Sequence, residues 1–199
     1  MIVVGLTGGI GSGKTTVAGF FKVHDIPIYI ADVEAKQLMA RSKVIKRKLI
    51  ALFGEDAYDD GELNRPFIAS KIFNDKNLLD QMNAIVHPKV AAHFKRWLKK
   101  QEGPYVIKEA AIIFEHQNEN QYDFIITVTA NVEERIKRVM HRDSSNRSKI
   151  EAIISNQMSD EEKIEKSHFV IVNDNLEDTK KQVQQTHLAL LKAIKKLKN

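Results

Sequence analysis

Ile2-Val3-Val4-Gly5-Leu6-Thr7-Gly8-Gly9-Ile10-Gly11-Ser12-Gly13-Lys14-Thr15-Thr16-Val17 joins an apolar run to a glycine-rich turn and then to a helix-like pattern. Gly8 to Thr15 match G-x-x-x-x-G-K-[ST] at every fixed position, the spacing of a phosphate-binding P-loop. Backbone N–H groups can wrap a triphosphate only if few Cβ atoms crowd the turn, and Gly8, Gly9, Gly11 and Gly13 remove them. A helix opening at Lys14 points the positive end of its dipole at the phosphates. Lys14 is placed to reach the β- and γ-phosphates, and the Thr15 hydroxyl to bind Mg²⁺. The amides from Gly9 through Ile10, Gly11, Ser12, Gly13 and Thr16 complete the expected ATP cradle. A purely structural glycine turn is the competing reading, but the strand–loop–helix context that the motif requires is present. A dinucleotide loop needs G-x-G-x-x-G, and three residues after Gly11 stands Lys14.

A chain of 199 residues is read as one domain with room for inserted subdomains. Hydrophobic residues at 43% and charged residues at 29% are ordinary for a globular protein. No apolar run reaches the roughly 18 residues of a membrane span, so no membrane partner is expected. The absence of cysteine excludes disulfides, thiol catalysis and cysteine-based zinc sites. With no basic leader ahead of the first strand, a cytoplasmic location is expected. The net charge of +5 suits an anionic partner. Lys180, Lys181, Lys192, Lys195, Lys196 and Lys198 carry much of it, and without interleaved aromatics they read as a solvated face, not a nucleic-acid site.

Val17, Phe20 and Phe21 have the i, i+3, i+4 spacing of a buried helix face. Ile28-Tyr29-Ile30 reads as a second strand, after which Asp32 has two readings. It is either the N-cap of a helix over 33–40 or a carboxylate facing the phosphates, able to take a proton from an acceptor hydroxyl. Residues 42–100 are helical in pattern, with a turn at Tyr58-Asp59-Asp60-Gly61 and a boundary at Val86-His87-Pro88. That is longer than one crossover helix, so a helical substrate lobe is expected. Tyr105-Val106-Ile107 starts a third strand, with Ala110 to Phe114 as its continuation. Glu109 and Glu115 near its end are both candidates for the metal side, the choice being open. Phe124 to Val128 is a fourth strand and His168 to Val172 a fifth. Between them Asn131 caps a helix whose buried stripe is expected at Val132, Ile136, Val139 and Met140. Arg138 and Arg142 share one face of it, either as a solvated basic face or as a lid closing on the phosphates. Arg147 belongs to the same cluster. His24, His87, His93, His116, His141, His168 and His187 are scattered and form no metal-ligand pattern.

These motifs together resemble the dephospho-coenzyme A kinase family, over nearly the whole chain. Gly5 to Ala18 match that family's P-loop, and Ala31-Asp32 the end of its D-A-D segment. Gly61-Glu62-Leu63-Asn64-Arg65 resembles D-G-x-L-D-R, and Asn83 to Pro88 resembles N-x-x-x-H-P. Ile112-Ile113-Phe114-Glu115 is similar to P-L-L-F-E, Gln157 with Glu161-Glu162-Lys163 to Q-x-x-x-E-E-K, and Val170 to Asn173 to V-I-x-N. The chain departs from the pattern at Ile30, where the first Asp of D-A-D usually stands. It departs again at Glu109-Ala110-Ala111 for D-x-P and at Asn173-Asp174-Asn175 for N-x-G.

The resemblance implies an α/β, three-layer P-loop NTPase fold, adenylate-kinase-like, with a five-stranded parallel sheet. The core would span about 1–41, 101–140 and 167–199, the coenzyme-A-binding helical lobe about 42–100, and the lid about 141–166. The implied reaction moves the γ-phosphoryl of ATP, with Mg²⁺, to the ribose 3′-hydroxyl of dephospho-CoA. Lys14, Asp32, Arg138 and Arg142 would carry the chemistry. Asn173 would sit near the adenine and Arg142 near ATP, while Asp32, Arg65, His87 and Pro88 would meet dephospho-CoA. A monomer or weak homo-oligomer is expected. Two other readings share the loop: another nucleotide or nucleoside kinase, and a nucleotide-binding switch. A guanine switch calls for N-K-x-D, which is absent.

Overall fold

The computed structural model describes residues 1–73, 75–115 and 117–197; His116 and Lys198, named above, lie outside them. The strands are β1 (Ile2–Thr7), β2 (Ile28–Ile30), β3 (Tyr58–Asp59), β4 (Glu62–Leu63), β5 (Tyr105–Glu109), β6 (Phe124–Thr129) and β7 (Phe169–Val172). The first five helices are α1 (Lys14–Lys22), α2 (Ala31–Arg41), α3 (Lys43–Phe53), α4 (Arg65–Ile72) and α5 (Lys76–Leu98). The rest are α6 (Val132–Asp143), α7 (Arg147–Ser155), α8 (Asp160–Glu165) and α9 (Leu176–Leu197). Among the described residues, no helix is long and apolar enough to cross a membrane.

Two compact units emerge, Met1–Tyr29 with Gln101–Asn199, and Ile30–Lys100. The five-stranded parallel sheet has the order β2-β5-β1-β6-β7. β1 is central: Ile2 lies opposite Tyr105 on one side, and Val4 opposite Phe124 on the other. Because side chains alternate across a strand, Val4 and Leu6 share one face with Ile107, Ile126 and Val128. There they bury Val17 and Phe21 of α1 and Val183, Leu190 and Ile194 of α9. On the opposite face Ile113, Phe114 and Ile125 cluster with Tyr122 and Met158. Gly5 allows this, since a methyl there would stand 2.8 Å from Ile113 Cδ1 and 2.9 Å from Tyr122 Cδ1.

That packing corrects one expectation. Residues 110–114 do not continue the third strand, which ends at Glu109. Ala110 N–H still donates to Leu6 O, but Ile113 and Phe114 then turn onto the sheet face. Their apolar character reflects face packing, not strand pairing. A second correction concerns α6, where Val132 is 48% and Met140 40% exposed while Arg135 is 3% exposed. The helix therefore presents Arg135, Ile136 and Val139 inward. Asn131 caps it as expected, accepting from the N–H groups of Glu133 and Glu134.

In the Ile30–Lys100 unit, α5 runs without a break through Pro88, contrary to the expected boundary. Proline removes one N–H from the helical ladder, but Val86, Val90 and Phe94 are buried at intervals of four along the same face. Packing across the proline outweighs the missing bond. The turn at Asp60-Gly61 closes a small hairpin, β3 against β4, with both turn residues at positive φ. Asp32 is not an N-cap: α2 begins at Ala31, and Asp32 stands exposed in its first turn.

Between α1 and α9, the rings of His24 and His187 stack with centroids 4.7 Å apart. The buried Tyr105 hydroxyl lies 2.7 Å from His187 Nδ1. Burial holds the tyrosine protonated, so its O–H can donate to a neutral imidazole. Burial first, and the charge of His24 second, push the His187 pKa below its usual value. A depressed imidazole pKa means that the unfolded chain binds more protons as acid is added. The stability is therefore complete above the unfolded value of about 6.5 and falls as pH drops through the window beneath it. Thermal melting from pH 8 to pH 5 should show a decline in the wild type that is smaller in His187→Gln; equal slopes would refute the coupling.

Candidate active site

The turn after β1 is held by its own backbone and by three surrounding elements. Ser12 N–H donates to Gly9 O at 3.2 Å, and Val17 N–H to Gly13 O at 3.1 Å as α1 begins. Gly13 is the N-cap of α1 at φ 88°, a left-handed conformation that glycine adopts without strain. A Cβ there would also lie 2.0 Å from Asn173 Nδ2. That amide donates to Ser12 O at 2.8 Å, while Asn173 Oδ1 accepts from the Thr179 hydroxyl at 3.0 Å. Gly8 is equally tight: its Cβ would stand 2.2 Å from Val128 O. The loop is thus clamped between β6, α6 and the end of β7.

Lys14 Nζ curls over the loop, donating to Gly8 O at 2.9 Å and Gly9 O at 3.3 Å. The Thr15 hydroxyl donates to Glu109 Oε2 at 3.4 Å, joining the start of α1 to the end of β5. Glu109 is buried. Glu115 serves elsewhere: its Oε1 lies 2.9 Å from the fully buried Lys163 ammonium and accepts from Met158 N–H. Of the two acids, Glu109 is the one beside Thr15. Among the described residues no group of three or more acidic or histidine side chains could hold a metal. The Thr15 and Glu109 oxygens are the hard-oxygen pair beside the loop.

A cleft of about 240 Å³ opens beside the loop, lined by Gly13, Thr16, Arg138, Asn173, Asp174 and Leu176. Arg138 Nη2 donates to Asn173 O at 2.9 Å. Its Nη1 is buried with no hydrogen-bond partner. An unpaired guanidinium N–H at a cleft wall is costly unless a ligand oxygen meets it. The Ser12 hydroxyl is likewise buried and unpartnered.

Arg142 does not join this group. Its Nε and Nη2 form a two-pronged contact with Asp143, each at 2.7 Å, which raises its pKa. Arg147 is held by Glu133 and Glu151, and its hydrogen bond lowers the Glu133 pKa. Asp32 on α2, Arg65 at the start of α4, and His87 and Pro88 on α5 are exposed in the Ile30–Lys100 unit. The spacing of charges did not single out Arg135 as a loop contact. Its one signal was its place four residues before Val139, on the stripe that proves to be buried.

The strand–loop–helix cradle and parallel sheet place the chain in the P-loop class of α/β folds. Shikimate kinase from Bacteroides thetaiotaomicron shares the fold, with a TM-score of 0.50 at 15% identity over 95% of this chain and 98% of its own. The family profile described as dephospho-CoA kinase matches residues 2–178, and the chain belongs to that family. It is 40% identical to dephospho-CoA kinase of Bacteroides fragilis over 174 residues, 87% of this chain and 85% of the relative. It is 34% identical to that of Fusobacterium nucleatum over 186 residues, 92% and 96% of the two chains. A Thermus thermophilus crystal structure superimposes with a TM-score of 0.86 at 32% identity, covering 94% of this chain and 96% of that one.

Proposed function

We propose that this chain transfers the γ-phosphoryl group of ATP to the ribose 3′-hydroxyl of dephospho-CoA, giving coenzyme A and ADP, the last step in making coenzyme A. The observation that carries the reading is Arg138, whose buried, unpartnered Nη1 belongs to the residue lining the cleft beside Gly13 and Asn173. In a chain of this family, a triphosphate on the Gly8–Thr15 loop supplies the oxygen that such a donor lacks.

In the reaction the acceptor 3′-oxygen forms a bond to the γ-phosphorus, and the bond from that phosphorus to the β,γ-bridging oxygen breaks. The electron pair of that bond leaves with ADP. Asp32 takes the proton of the 3′-hydroxyl. Lys14 exchanges its contacts with the Gly8 and Gly9 carbonyls for the β- and γ-phosphates, and Arg138 neutralises charge on the moving group. Asn173 fixes the cleft wall on the adenine side. Arg142 must first leave Asp143 to reach ATP, which suits a lid over about 141–166. Arg65 and the His87-Pro88 stretch receive dephospho-CoA on the helical lobe of about 42–100. Mg²⁺ typically takes one or two protein oxygens and completes its shell with phosphate oxygens and water. Thr15 and Glu109 fit that role. When bound, the ion screens the phosphate charge. A chain without cysteine suits the reducing cytoplasm, where the reading places it.

The test offers purified protein Mg-ATP with dephospho-CoA, AMP and nucleosides in separate reactions and measures ADP. ADP release is expected with dephospho-CoA alone. Release with another acceptor and none with dephospho-CoA would replace this reading with that of a different nucleotide or nucleoside kinase.

A further inference from the structure

Arg135 is 3% exposed yet carries a permanent charge. Its Nε donates to Ile10 O at 2.9 Å, and its Nη1 lies 2.9 Å from Asp160 Oδ2. The same carboxylate oxygen accepts from the Thr129 hydroxyl on β6. Ile10 N–H donates in turn to Gln157 Oε1 at 2.9 Å. Both polar groups of the Ile10 backbone are therefore held by side chains that follow β6 in sequence. The fit is close: a methyl on Gly9 would stand 2.0 Å from Arg135 Nη2, and one on Gly11 would stand 2.5 Å from Arg135 O.

A buried ion pair is weak evidence for stability, because stripping water from both charges offsets most of their attraction. An apolar side chain would fill the space under the loop more cheaply. What an apolar residue cannot do is grip a carbonyl and a carboxylate at once in a fixed plane, which is the particular property of guanidinium. Ile10 lies between Gly9 and Gly11, within the loop proposed to cradle phosphate.

We propose that Arg135, fixed by Asp160 and assisted by Gln157, is a positioning clamp that sets the Ile10 peptide and with it the phosphate-binding shape of the loop. None of the three needs to touch the nucleotide. The clamp makes ATP affinity depend on residues at the start of α8, far along the chain from the loop itself. The inference rests on the loop binding ATP, as proposed above.

The test compares Arg135→Lys and Asp160→Asn with wild type by equilibrium ATP titration and by amide hydrogen exchange, after circular dichroism confirms folding. Lysine keeps the charge but loses the fork; asparagine keeps the shape but loses the charge. Each variant should bind ATP about tenfold more weakly, and the double variant little more weakly than the worse single, as members of one unit behave. Amides of residues 9–13 should exchange faster while those of β1 and β6 keep their protection. ATP affinity within about twofold of wild type in both variants would overturn the clamp. So would faster exchange spread evenly over the sheet, which marks a purely structural role. If wild type binds no ATP, the kinase reading fails, and the exchange pattern alone then decides the clamp.

Discussion

Lys14→Met should abolish most phosphoryl transfer, lowering turnover by about 10²–10³, the range seen when one preorganised donor to a developing charge is removed. Nearly isosteric methionine keeps the aliphatic stem and removes only the ammonium. In the structure that ammonium rests on the Gly8 and Gly9 carbonyls, so the fold loses two partly exposed hydrogen bonds. Melting should therefore fall by a few degrees only, since each such bond is worth about 1 kcal/mol net and 1 kcal/mol moves a chain of this size by about 2–4 °C. ATP affinity should fall together with turnover, because the charge acts on the β- and γ-phosphates in the ground state and the transition state alike. Turnover within about threefold of wild type would mean that Lys14 stays on its own loop and that another cation meets the phosphates.

Asp32→Asn should separate chemistry from binding. Turnover is expected to fall by about 10²–10⁴, the usual contribution of a positioned general base, with ATP affinity unchanged. The structural alternative gives a different and smaller signature. An exposed carboxylate in the first turn of α2 stabilises the helix dipole by about 0.3–1 kcal/mol. If that is the whole of its role, Asp32→Asn would lower the melting temperature slightly and leave turnover near normal. A drop in turnover with an unchanged melting temperature assigns the proton to Asp32. Since Ile30 stands where the family has a first aspartate, no second carboxylate in that segment can mask the loss.

Gly8 to Thr15 could be read from sequence because a phosphate loop is local: its glycines, lysine and threonine all act within one turn of chain. The same holds for the Asn131 cap and for the apolar run ahead of the loop, which reads as a buried strand and is one. What failed was what depends on distant residues. The stripe of α6 was misplaced because Arg135 is drawn inward by Ile10 O and Asp160, neither of which lies near it in sequence. Pro88 looked like a boundary because the penalty of proline is local, while Val86, Val90 and Phe94 hold α5 together through tertiary contact. Glu109 and Glu115 were indistinguishable in sequence. They differ because one ends a strand beside Thr15, and the other meets Lys163. Strand order was equally hidden, since periodicity records which face is buried but not which neighbour pairs.

That order has a consequence for how the protein is born. β1 carries the phosphate loop, yet one of its edges pairs with Tyr105 to Glu109 and the other with Phe124 to Thr127. On a ribosome adding about 5–20 residues each second, the first strand waits roughly 5–20 seconds before its partners have been made. All of Ile30–Lys100 emerges in that interval. During it, Ile2-Val3-Val4-Gly5-Leu6 has neither of its two sheet neighbours to pair with. The chain cannot assemble its nucleotide cradle co-translationally from the front.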